Sequence, residues 1–202
     1  MAGFLACSRK DPRADTAFRL AATWSTGQTV DGMDALGHAI NVANTLGRYV
    51  PDAPPQVVAA CLLHAIPQWP MVDEAVHELV EAECGVEARW LVEAMRAEEA
   101  VLAHPSEGAV QGQLRRLRTI PWLAHATLAF KIVTLQYTVA HAAHRRWDAA
   151  QAWPPPASHD DRPPYLHQLL ALATEVVHPV MTNAFARLLD KRPSVTVCAA
   201  SR

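Results

Sequence analysis

The sequence predicts an all-α domain, a bundle of about seven to nine helices, and three observations carry that expectation. Apolar residues recur at spacings of three and four through most of the chain, the pattern of helices that bury one face. No stretch alternates at period two for long enough to make a sheet. Glycine is scarce (8) and proline plentiful (15), and the prolines fall between the periodic stretches, where they punctuate helices. A chain of 202 residues, 50% of them hydrophobic, can bury one sizeable core, so a single domain is expected over residues 15–192, between a flexible N-terminus (1–14) and a flexible tail (193–202).

The first helix is expected from Asp15 to Ser25, where Phe18, Leu20, Ala21, Ala22 and Trp24 supply the apolar face and Gly27 the stop. The second opens after Asp34, whose carboxylate can accept from free first-turn N–H groups, and carries Leu36, Ile40, Ala43 and Leu46. Pro51, Pro54 and Pro55 break the chain before a third helix, Gln56 to Ile66. Its VVAACLLHAI is apolar almost all round and marks it as the buried centre, with His64 near its end. Two amphipathic helices, 72–81 and 86–102, lead to a polar connection from Ala103 to Gly112 and a short basic helix, QLRRLR. Residues 122–147 read as one long helix, and the Pro-rich AWPPPASHDDRPP as a loop. A last helix from Tyr165 to Asp190 should kink at Pro179, which lacks a backbone donor.

Charge and composition narrow the function classes. Eighteen basic and 20 acidic residues give a net charge of −2 without a basic run, so no nucleic-acid partner is expected. No apolar run approaches the roughly 20 residues of a membrane span and no signal peptide is recognisable, so no membrane partner and a cytoplasmic location are expected. The four cysteines are too dispersed for a disulfide framework or a cysteine zinc site, and Cys61 reads as core.

Three segments carry the chemistry: ALGHAINVA, LLHAIPQW and FKIVTLQY, in that order. With the opening AFRLAATWSTGQTVDGMDALGHAINVANTL and the stretch ECGVEARWLVEAMRAEE, they resemble the RelA/SpoT-type guanosine polyphosphate hydrolase branch of the HD superfamily over roughly residues 15–190. The resemblance implies an HD-like helical fold. It places Gly27, Gln28 and Gly32 ahead of a first metal histidine, His38, puts His64 in the histidine place of the His-Asp pair, and puts Lys131 in the lysine place of the later helix.

The departures from the family pattern matter as much. Ala65 and Thr134 stand where the resemblance expects the two metal-binding aspartates, and Gln68 and Trp69 replace the acidic pair that assists water attack. Thr29 and Val30 replace basic residues after the Gly-Gln pair, and Thr138 replaces an asparagine. Two neutral imidazoles without a carboxylate hold a hard divalent ion poorly, so no cofactor is expected; His38 and His64 are the residual metal candidates, and manganese enters only if other groups rebuild the site. His141 lies about 10 Å beyond Thr134 along the helix, too far to replace it.

Three functions therefore stay open. One is a non-hydrolytic ligand-binding or regulatory protein, taking a small or nucleotide-like molecule through Gln68, Trp69, Lys131, Thr134 and Thr138. Another is a metal-independent enzyme in which His38 and His64 pass protons. The third is a phosphohydrolase with an altered metal site. Beside these stands the plain structural reading, in which His38 and His64 are hydrogen-bonded core residues, His141 and His144 complement a helix dipole, and Arg115, Arg116 and Arg118 are a solvated face.

Overall fold

The computed structural model describes residues 3–30, 33–65, 74–144 and 162–191. Among the described residues the chain forms ten helices and one two-stranded ribbon. The helices are α1 (Phe4–Ser8), α2 (Pro12–Trp24), α3 (Ala35–Tyr49), α4 (Pro55–Leu63), α5 (Glu74–Cys84), α6 (Val86–Ala103), α7 (Glu107–Thr119), α8 (Leu123–His144), α9 (Arg162–Val176) and α10 (Pro179–Asp190). The ribbon pairs β1 (Thr29–Val30) antiparallel with β2 (Met33–Asp34), Val30 opposite Met33. No described helix is long and apolar enough to cross a membrane.

The all-α expectation holds. The helices beyond the expected seven to nine arise at the two ends of the chain. At the start, α1 lies within the segment expected to be flexible. Phe4 rests on α3 at Gly47, where an added Cβ would come within 2.0 Å of the ring, so a glycine is what lets α1 approach. Helix α2 begins before Asp15, because the Asp11 carboxylate accepts from the Arg13 N–H and Pro12 sits at the first helical position. At the other end, Pro179 breaks the expected single helix instead of kinking it. A residue before proline is driven out of the helical region, and His178 is extended (ψ 130°). Its Nδ1 accepts from the Val180 N–H, so the broken end becomes the cap of α10.

Helix α4 is the centre of the bundle. Every residue from Val57 to Leu63 is buried, and α2, α3, α6 and α8 all contact it. It ends earlier than the sequence suggested: His64 and Ala65 form a turn, and Ile66 lies outside the described residues. Helix α7 begins inside the expected polar connection because the Ser106 hydroxyl accepts from the Ala109 N–H. Trp122, between α7 and α8, has φ 67°, in a region that a bulky residue rarely occupies.

A second constraint ties the C-terminal helices to this core. Glu98 on α6 is 1% exposed; it pairs with the Lys131 ammonium of α8 at 2.9 Å and accepts a hydrogen bond from the Tyr165 hydroxyl of α9. Burial and the neighbouring carboxylate push the Tyr165 phenol far above its ordinary range, so it stays protonated and donates. On the surface, Arg118 of α7 meets Glu175 of α9 at 2.7 Å, an exposed contact worth little on its own. Removing one member of a buried ion pair leaves an uncompensated charge. Glu98→Ala should therefore cost about 3–5 kcal/mol of unfolding free energy, read from urea titrations, and an unchanged midpoint would contradict the placement of Glu98.

Candidate functional site

His38 sits on the buried stripe of α3, with Ala35, Ala39, Val42 and Leu46 as its neighbours at helical spacing. The helix starts where expected, the Asp34 carboxylate accepting from the Gly37 N–H at 2.6 Å. His64 closes α4. The two imidazoles meet in the interior, Nε2 to Nε2 at 3.2 Å, with His38 1% and His64 3% exposed.

The hydrogen bonds fix the tautomers. A carbonyl oxygen only accepts, so the 2.7 Å contact between His64 Nδ1 and the Cys61 carbonyl places a proton on Nδ1. Neutral His64 then has a bare Nε2, and the proton between the rings belongs to His38 Nε2, which donates. Burial is the largest cause that pushes His64 down to about 3, followed by electrostatic repulsion from His38 when that ring is protonated; the Cys61 hydrogen bond opposes the fall and the Lys131 charge deepens it. Burial likewise pushes the Cys61 thiol up to about 12, which removes it as a thiolate nucleophile at neutral pH.

Phe130 of α8 forms the apolar wall of the pair. Its ring centroid lies 5.6 Å from His38, edge-on, and 5.0 Å from His64. Thr134 follows one helical turn later; its hydroxyl is buried and makes no hydrogen bond among the described residues. The Thr138 hydroxyl donates to the Thr134 carbonyl at 2.9 Å. Lys131 is engaged with Glu98 and lies 4.6 Å from the Phe130 ring centroid. Gln68 and Trp69 lie outside the described residues, as does Gly32.

Ala65, in the place of an expected aspartate, packs with Val30 of β1 and Ala35 of α3. Val30 of the ribbon and Ala35 of α3 thus surround Ala65 with apolar side chains. Thr134 offers a neutral hydroxyl in the other place. Hard divalent ions favour several oxygen ligands, and these donors do not fit one. Among the described residues, no three His, Cys, Asp or Glu side chains converge where they could hold a metal ion.

Sequence reasoning singled out His38, His64 and Lys131 and missed their partners Glu98, Tyr165 and Phe130. One signal was available. Ala88, Leu91, Met95 and Leu102 form the buried stripe of α6, and Glu98 stands on that same stripe, a charge that burial obliges to find a partner. No protein-family model matches the chain, and no curated protein matches it.

The low His64 value carries a pH dependence. Above the ordinary value of 6.5 the folded and unfolded chains both hold a neutral His64, and its contribution to stability is intact. Below 6.5 the unfolded chain takes up a proton that the folded chain refuses until about pH 3, so stability falls through that window. The slope approaches about 1.4 kcal/mol per pH unit. Urea midpoints measured from pH 7.5 to 4 should fall less steeply for His64→Gln than for the unaltered chain; equal slopes would contradict a neutral buried His64.

Proposed function

We propose that this chain is a degenerate HD-type protein related to the guanosine-polyphosphate hydrolases, and that it binds a ligand or regulates a partner without hydrolysing phosphate esters by the manganese route. The observation that carries this reading is that the two histidines are spent on each other and on the Cys61 carbonyl, at 3.2 and 2.7 Å. Metal-assisted hydrolysis needs imidazole nitrogens aimed at an ion, carboxylates beside them and a base for the attacking water. Here the carboxylate places hold Ala65 and Thr134, and Ala65 is packed against apolar neighbours.

Charge supports the same reading. A polyphosphate needs cations, and among the described residues the one ammonium beside Phe130, that of Lys131, is already neutralised by a buried carboxylate. Thr29 and Val30 bring no charge to the ribbon over Ala65.

A second reading keeps the site catalytic without metal. The direct Nε2 to Nε2 contact favours it, since an imidazole pair sharing one proton can relay it to a small molecule. Here His38, which carries the shared proton on Nε2, would be the donating member and His64, whose Nδ1 is held by the Cys61 carbonyl, the accepting one.

The test is a ppGpp hydrolysis assay with added manganese, together with metal analysis of protein purified without chelator. The expected outcome is no turnover above the protein-free control and no stoichiometric metal. Turnover that depends on manganese and disappears in His38→Ala would contradict the proposal and show that other residues rebuild the centre.

A further inference from the structure

A second place in the fold, away from the histidine pair and independent of the reading above, has the form of a ligand site. The end of α6, the start of α7 and the first turns of α9 enclose a cleft of about 460 Å³, within the range of small-molecule pockets. Its apolar wall is built from Leu102, Val110, Pro105 and Pro164, with the buried Tyr165 behind them. That wall is pre-shaped: the Tyr165 hydroxyl is anchored on Glu98, which Lys131 holds in turn, and Leu102 is buried. A fixed wall spares a ligand the cost of ordering it.

The polar side of the cleft decides the class of ligand. Among the described residues lining it, Glu107 is the only charged one, and Gln111 and Gln168 add neutral amides. All three are exposed and uncommitted to any described ion pair, whereas Ser106 is occupied in capping α7. The start of α7 works against a cation with about half a positive charge, but the full negative charge of Glu107 in its first turn outweighs that. An anion would meet the carboxylate, with no basic side chain among the described lining residues to receive it.

We propose that this cleft binds a small organic cation with an apolar body: an amine whose ammonium pairs with Glu107 and whose body packs against Pro164 and Val110. The amides of Gln111 and Gln168 would hydrogen-bond its polar edge.

The experiment titrates the full chain with tryptamine, and with tryptophol and indoleacetate as its uncharged and anionic counterparts. The methyl resonances of Val110 and Leu102 are followed by NMR. Tryptamine should move these signals saturably, tryptophol should bind about fivefold more weakly, and indoleacetate should leave them unmoved. Glu107→Gln, an exposed change that leaves the packing intact, should bring tryptamine down to the level of tryptophol. Indoleacetate binding as well as tryptamine, or tryptamine binding unaffected by Glu107→Gln, would overturn the cation assignment. No movement of Val110 or Leu102 with any of the three would overturn the site itself.

Discussion

Helix α4 constrains everything around it, because a helix that is apolar on every side must be surrounded on every side. Burying Val57 to Leu63 requires α2, α3, α6 and α8 to pack about it. The chain then carries a histidine into the interior at the end of that helix. A buried imidazole without partners would cost a desolvated polar group, so His64 must find its hydrogen bonds inside. It finds them on the Cys61 carbonyl one turn back and on His38 across the helix interface.

The same demand recurs at Glu98. Its carboxylate lies on the buried face of α6 and is tolerable only because Lys131 and Tyr165 reach it from two other helices. The pair ties α9 to α6 and α8, and it neutralises the ammonium that would otherwise stand beside Phe130 and the histidines. One buried carboxylate therefore serves the packing of the C-terminal helices and sets the charge of the candidate site.

How much was legible in the sequence follows from which forces are local. The all-round apolarity of VVAACLLHAI identified the central helix, and Asp34 identified the start of α3, because both are properties of a few adjacent residues. The polar stretch 103–112 concealed a helix start, since Ser106 and Glu107 read as loop residues until their capping role is recognised. Pro179 in a helical run predicts a kink, but the extended conformation it imposes on His178 lets that side chain cap a new helix. Of the site, His38 and His64 were legible through a family resemblance, but their direct contact was not, because a pairing across 26 residues depends on how α3 lies on α4. The placement of Gln68 and Trp69 lies outside the described residues.

The structure rests on a neutral, buried His64 that accepts a hydrogen bond from His38, and the ¹⁵N spectrum of the imidazole rings at neutral pH reads that state. The account predicts His64 protonated at Nδ1 and bare at Nε2, with His38 carrying its proton on Nε2 and a coupling detectable across the shared hydrogen bond. A His64 signal showing both nitrogens protonated, or both Nε2 shifts displaced together on adding manganese or zinc, would contradict it.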